Sequence, residues 1–342
     1  MSRGTTAIYL ALTAAGIKEG KVITPSLLCM SPINAIIYAG LSPKFVDISL
    51  KNCQLDPART EDVLKKDKHV KAILLPHLYG QAGDIEAFLN LANKYGVMLI
   101  EDACQSLGAS FKRKPLGSFG DFSVFSFGYS KIIDVETGGA LLFDEDKYIP
   151  MLKKKYRDLK PRLTSHNKMI RKYREQYYHL ASIYRKGGKR EGLYSHFPNL
   201  FKDLYLFRSF SHDTATQIID ELGNLDYLIK KRRTNAEFYR THLMHDCIRH
   251  LNFDKEGAYW RFSFFVTSRN QHDLADKMRI RKVDVSNWYP PVHKLFGVNI
   301  KLKNTEYAGK HIFNLWTSPS LSQKALQKNI DVVHQVLDKY AQ

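Results

Sequence analysis

The sequence is short of cysteine, of acidic residues and of long apolar runs, and each shortage removes a class of answer. Four cysteines among 342 residues, Cys29, Cys53, Cys104 and Cys247, stand apart with no CxxC pair. That spacing supplies neither a disulfide framework nor a cysteine-based zinc or iron–sulfur site, and it fits a reducing compartment. No apolar run is long enough to cross a bilayer as a helix. Asp and Glu number 34 against 52 Lys and Arg, a formal net charge of +18. A field of that sign favours anionic partners such as nucleotide sugars, acidic membrane surfaces or nucleic acid. No internal repeat is visible.

What is present is a chain with 44% apolar content, enough for a large core and for two domains or one large one. Over the first 150 residues two periods alternate. Helical stretches are expected at 5–16, 32–40, 57–66 and 84–96. In the last, Ile85, Phe88, Leu89, Ala92 and Tyr95 share a face and Gly96 marks the stop. Between them lie short continuous apolar runs at 22–24, 44–48, 70–75, 97–101, 122–127 and 139–143. Runs of this kind predict strands buried on both faces, and their alternation with helices predicts a mainly parallel α/β sheet. From Trp260 the pattern changes: Trp260, Phe262, Phe264 and Val266 alternate with Arg261, Ser263 and Phe265, as in a half-buried strand. Helices are expected over 213–243, 272–278 and 323–340 and a strand at 283–288, making residues 246–342 a smaller α+β domain after a large domain of 1–245. The first helix, 5–16, loosely mimics a signal peptide behind Met1-Ser-Arg.

In an open parallel sheet, ligands sit beyond the carboxyl ends of the strands. Three features converge there. Asp102 ends one run with Gln105 three residues on, Ser126 ends another with Lys131 in the next loop, and Gly4-Thr5-Thr6 opens the first helix, where free N–H groups and the helix dipole hold a phosphate. Singly each has an ordinary reading: a helix cap, a solvated lysine, an N-cap. Together, a carboxylate, a lysine and a phosphate cradle are the set that pyridoxal-phosphate (PLP) chemistry needs.

The stretches RGTTAIYLAL (3–12), VITPSLLCMSPINAIIYAGLSPKFVDI (22–48), LPHLYGQAGDI (75–85), IEDACQSLGA (100–109), GSFGDFSVFSFGYSKIIDVETGGAL (117–141) and SNWYPPVHKLF (286–296) resemble, in order, the DegT/DnrJ/StrS family of PLP-dependent sugar aminotransferases. The resemblance implies the fold-type I architecture and a homodimer with shared active sites. It makes Lys131 the Schiff-base lysine and Asp102 the partner of the pyridine nitrogen, sets Gln105 against the phenolic oxygen, and gives Gly4, Thr5, Thr6 and Ser126 the phosphate. Tyr289 and His293 match a motif near the substrate mouth, with packing beside a Pro-Pro turn as the competing account; His77 reads as a satisfied buried histidine. The implied reaction moves an amino group from an amino acid, usually glutamate, to a nucleotide-linked keto-sugar for surface polysaccharide or lipopolysaccharide synthesis in the cytoplasm. No metal is implied.

The pattern departs from the family in four places. The chain begins three residues before the Gly-Thr motif, where members carry several dozen, so the start is expected to be truncated, misassigned or minimal; the resemblance also reads 5–16 as the first domain helix. The loop that often carries a stacking aromatic is Leu27-Leu28-Cys29-Met30. The neighbour's phosphate contact lacks its Asn at Phe207-Arg208-Ser209, which leaves Arg208 as a substitute. Finally, residues 151–200 hold 14 Lys or Arg against three acids, interleaved with tyrosines. That segment reads as a solvated excursion, as a peripheral contact with the anionic inner face of the membrane, or as a single-strand nucleic-acid contact, the last without any recognisable reader motif. The departures also keep open a second function, an aminotransferase-fold protein that turns over weakly or not at all and acts as a binding or regulatory module.

Overall fold

The computed structural model describes residues 1–185, 197–209, 211–268 and 271–341. Twelve strands occur among them: β1 (Lys21–Pro25), β2 (Ser42–Val46), β3 (Val70–Pro76), β4 (Met98–Asp102), β5 (Ser110–Phe111), β6 (Lys114–Pro115), β7 (Phe122–Ser126), β8 (Gly139–Leu142), β9 (Ile248–His250), β10 (Arg261–Val266), β11 (Val285–Ser286) and β12 (Ile312–Trp316). Six form the main sheet in the order β2-β1-β3-β4-β7-β8. The first five are parallel and β8 returns antiparallel beside β7. β5 and β6 make a small hairpin.

The main sheet is buried on both faces, as its continuous apolar runs predict, because helices cover both. Successive side chains point to opposite sides. Ile23, Ile73, Leu75 and Leu99 pack with Leu64, Phe88 and Leu91 of the helices Pro57–Lys66 and Ile85–Tyr95. Val22, Ala72, Leu74 and Ile100 pack with Ala7, Ile8, Ala11 and Ile36 of the helices Gly4–Ala14 and Met30–Tyr38. Local signals set the helix ends. Asp56 accepts hydrogen bonds from the N–H groups of Ala58 and Arg59 at 3.0 and 3.2 Å, with Pro57 opening the helix, and Asp84 accepts from Ala87 at 3.2 Å. Gly96 closes the latter helix in the left-handed conformation.

The second sheet, β11-β12-β10-β9, is antiparallel throughout. Its core joins Phe262, Phe264 and Val266 to Val333, Val336 and Leu337 of the helix Gln323–Tyr340 and to Ala236, Tyr239 and Leu243. Three expectations are corrected here. β10 is buried along its whole length, not half-buried. Phe265 enters the first core on its other face, and the Arg261 guanidinium lies 4.1 and 4.0 Å from the rings of Trp260 and Trp316. The helix expected over 213–243 divides at Asn224 into His212–Gly223 and Leu225–His242. The strand expected at 283–288 shortens to β11 because the chain turns at once into the Pro290-Pro291 segment.

Within the basic segment, the helices Ile149–Arg157 and His166–Arg185 are amphipathic and docked, which corrects the expectation of a free excursion for these residues. His166, Met169, Ile170, Tyr173 and Tyr177 form the inner face at helical spacing, and Lys168, Arg171, Lys172 and Arg174 face out. Tyr173 meets Phe201 and Tyr205 edge-on at 5.2 and 5.7 Å, and Tyr177 stacks on Trp288 at 5.4 Å. Residues 186–196 of the segment lie outside the described residues.

Candidate active site

β4 and β7 are neighbours whose carboxyl ends carry Asp102 and Ser126, and Lys131 follows five residues after Ser126. The helix Gly4–Ala14 aims its first turn at the same edge. A cavity of about 210 Å³ lies there, and Gly4, Thr5, Asp102, Gln105, Ser126 and Lys131 all line it. Arg3, Leu28, Cys29, Cys104 and Tyr205 complete much of the wall.

The close approach at Gly4 explains that glycine. A Cβ there would lie 2.9 Å from Cys104 Sγ and 3.1 Å from Ser126 Cβ. The first intrahelical hydrogen bond runs from Ala7 N–H to the Arg3 carbonyl at 3.2 Å. The earlier N–H groups have no helical acceptor, and among the described residues no side chain caps them. The positive end of the helix dipole therefore opens on the cavity.

Asp102 is 6% exposed. Its Oδ1 accepts the Cys104 N–H at 3.1 Å, and among the described residues no cation pairs with it. Lys131 is fixed by its backbone and free at its tip. Its N–H donates to the Gly128 carbonyl at 3.2 Å, and Nζ, 5.7 Å from the Trp260 ring centroid, has no hydrogen-bond or ion-pair partner among the described residues. The preceding residue, Ser130, has φ +66° and is held from three sides. Its N–H donates to Asp134 Oδ2 at 2.6 Å, its hydroxyl accepts from Arg261 at 2.5 Å, and its carbonyl accepts from the Trp260 indole. β10 thus carries the support for the lysine loop. Burial, with Arg232 as a second cause, draws the Arg261 guanidinium down to about 9.

Gln105 is oriented by two partners. Its Oε1 accepts the Tyr79 N–H at 2.9 Å and its Nε2 donates to Tyr289 Oη at 3.2 Å. Tyr79 in turn donates its hydroxyl to the Trp288 carbonyl at 2.7 Å and stacks on Tyr289. The next residue, Gly80, has φ +85° and no space for a side chain: a Cβ would lie 2.5 Å from Trp260 N. Tyr289 therefore reaches the site through Gln105. Thr6 and His293 lie outside the cavity. The Thr6 hydroxyl donates to the Tyr205 carbonyl at 2.7 Å and meets Ser2 Oγ at 2.9 Å, so its side chain braces the helix. His293 is fully buried, 2.6 Å from Ser26 Oγ through Nδ1, and burial followed by Lys294 draws its pKa down to about 4. Arg208 does not line the cavity; it contacts the Arg157 carbonyl at 3.4 Å. Of the loop 27–30, Leu28 and Cys29 line the cavity. Burial pushes the Cys29 and Cys104 thiols up, so both stay protonated and serve as apolar wall.

His77 is fully buried and satisfied. Its Nδ1 accepts the Gly83 N–H at 3.3 Å, which leaves the proton on Nε2 to donate to Glu101 at 3.1 Å. Arg3 opens the stretch 3–12 that carries the family resemblance but takes no role of its own in that reading, and Tyr205, well beyond both Asp102 and Ser126 in sequence, had no sequence signal. Among the described residues no group of His, Cys, Asp or Glu could hold a metal ion.

The donor set fits PLP. A primary amine without a partner, a buried carboxylate with one N–H donor and no cation, and an uncapped helix N-terminus with Thr5 and Ser126 face one enclosed volume. A mainly parallel sheet with this cavity at its carboxyl edge, followed by a small antiparallel sheet, is the architecture of the fold-type I PLP aminotransferases. The family model described as the DegT/DnrJ/EryC1/StrS aminotransferase family matches residues 1–336, and the chain belongs to that family. GDP-perosamine synthase of Caulobacter vibrioides is 39% identical over 146 residues, which is 42% of this chain and 39% of that protein. The chain thus spans about two-fifths of the length of the curated relatives it matches. Two solved structures share the fold over nearly the whole chain. The aminotransferase TlmJ from Streptoalloteichus hindustanus has a TM-score of 0.79 at 22% identity, covering 99% of this chain and 85% of that one. NtdA from Bacillus subtilis, with bound cofactor PMP, has a TM-score of 0.73 at 22% identity, covering 98% and 72%.

Proposed function

We propose that this protein is a PLP-dependent aminotransferase that moves an amino group from an amino acid, glutamate by preference, to a nucleotide-linked keto-sugar used in surface polysaccharide or lipopolysaccharide synthesis. One observation carries the reading: the unpartnered Lys131 amine, the Asp102 carboxylate and the open N-terminus of the Gly4 helix line a single cavity. PLP supplies there an electron sink that lets nitrogen leave one carbon and join another. Lys131 would hold the cofactor through Nζ, and the same amine is the group that would take and return a proton. Asp102 holds a proton on the pyridine nitrogen, Gln105 orients the ring, and Thr5, Ser126 and the first-turn N–H groups bind the phosphate. Buried thiols and Leu28 exclude water from one wall. The same reading includes a homodimer, a cytoplasmic site of action, a division into units 1–245 and 246–342, and a peripheral membrane contact through the outward Lys/Arg face of His166–Arg185.

The test is the visible spectrum of the protein with PLP, before and after glutamate, with Lys131→Ala alongside. An absorbance band that needs Lys131 and is lost on adding glutamate is the expected result. A band indifferent to every amino donor would favour a binding or regulatory module, and no band would overturn the cofactor assignment.

A further inference from the structure

We propose that Arg3 is a phosphate-ester contact of the cavity, a cation supplied by the chain itself at the mouth of the Gly4 helix. Three observations meet at this residue. Arg3 lines the cavity and directly precedes Gly4. Among the described residues it pairs with no carboxylate: its terminal nitrogen lies 3.3 Å from His166 Nε2, and its Nε is shielded from solvent with no hydrogen-bond partner. Behind it the His166 ring is 2% exposed, with Nδ1 also unpartnered.

A desolvated guanidinium without a counter-charge is costly, and a planar fork of N–H donors is the group that phosphate oxygens match. Burial is the main influence on Arg3 and lowers its pKa; the charged neighbours after it are the phenols of Tyr205 and Tyr173 and the guanidinium groups of Arg162 and Arg174, with no Asp or Glu among them. Burial, with Arg3 second, draws the His166 imidazole down to about 4, so it stays neutral near pH 7 and accepts the Arg3 N–H while adding no charge. His166 is thus a positioning residue, and it ties the basic segment to the site. The assignment rests on the proposed function only for which phosphate is bound, the cofactor's monoester or the diphosphate of a sugar nucleotide.

The experiment compares wild type, Arg3→Gln and Arg3→Lys of the full chain, stripped of cofactor, for equilibrium binding of PLP, pyridoxal and inorganic pyrophosphate. Arg3→Gln should weaken at least one phosphate-bearing probe by about tenfold or more and leave pyridoxal unchanged, with Arg3→Lys recovering part of the loss. A PLP effect assigns Arg3 to the cofactor; a pyrophosphate effect with PLP intact assigns it to the substrate. Wild-type binding of both probes by Arg3→Gln would overturn the proposal. If wild type binds no PLP, the proposed function fails while the pyrophosphate arm still decides on Arg3, and absence of pyrophosphate binding too overturns the proposal. Should Arg3→Gln not fold, Arg3→Lys carries the test: loss of the forked contact weakens one phosphate probe several-fold, and unchanged binding of both overturns it.

Discussion

Glu101 and Asp102 are consecutive residues at the end of β4, both buried, and they face opposite sides of the sheet. Glu101 is saturated with donors. The N–H groups of Gly117, Phe119 and Gly120 reach it at 2.9, 2.6 and 2.8 Å, Ser123 donates at 3.3 Å and His77 at 3.1 Å. Burial alone would raise its pKa, but the His77 contact and the backbone donors outweigh it and hold the carboxyl at about 2. Asp102 has one N–H donor and an open cavity. The pair teaches that a buried carboxylate is read by its unspent acceptor capacity: one acid closes a loop, its neighbour waits for a ligand.

The sharpest way to break this contrast begins with the cavity face. Lys131→Ala should abolish the PLP absorbance band and lower turnover by about 10⁴-fold or more, with thermal stability close to wild type. Asp102→Asn should lower turnover by about 100-fold or more, measured with saturating donor, and leave stability unchanged or slightly improved, because it removes a buried charge met only by the Cys104 N–H and thiol and by no cation. Glu101→Gln should do the reverse, costing about 3 kcal/mol in denaturant unfolding while folded protein still binds PLP. If the two variants lose stability equally, the distinction between the faces fails.

The pH dependence follows from the sign of the Glu101 shift. Its folded pKa is depressed, so its contribution is complete above the unfolded carboxyl value of about 4.3 and is lost as pH falls towards about 2. Unfolding free energy should drop across that window in wild type and more shallowly in Glu101→Gln. Smaller still, Tyr177→Ala should cost about 1 kcal/mol through loss of the Trp288 stack. The smallest effect is at the surface: anionic vesicles should retain the protein at low salt and release it at physiological salt, whereas equal recovery with neutral vesicles would remove the membrane contact from the proposal.

Much of the large sheet was legible because its signals are local. The helices Pro57–Lys66 and Gln323–Tyr340 end where the sequence places them, through Asp56, Pro57 and Ser322. Gly4, Thr5, Asp102, Gln105, Ser126 and Lys131 were found by type and spacing, and the cavity brings them together. What escaped depends on distant contacts. β10 alternates like a half-buried strand, yet Trp316 and Ser130, neither near in sequence, enclose Arg261. Thr6 shares its motif with Gly4 and Thr5 and His293 shares one with Tyr289, which touches Gln105, but burial against Tyr205 and Ser26 turns both elsewhere. Arg3 stood at the head of the stretch 3–12 without a role of its own, because its meaning comes from the lack of an acid around it, and a missing neighbour is invisible in one dimension.

The start of the first helix is stitched to later parts of the chain. Gly138 and Gly139 donate their N–H groups to the carbonyls of Ser2 and Met1 at 2.9 Å, and the hydroxyls of Ser2 and Thr6 donate to the carbonyls of Phe207 and Tyr205. A chain made from its N-terminus can close the Gly138 and Gly139 bonds after about 140 residues, but the Ser2 and Thr6 hydroxyl bonds only after about two hundred. The phosphate end of the cavity therefore waits for Tyr205, while the supports of Ser130 and Gln105 wait longer, for Arg261 and Tyr289, and a nascent chain halted before Tyr205 would carry Lys131 and Asp102 without the finished pocket around them.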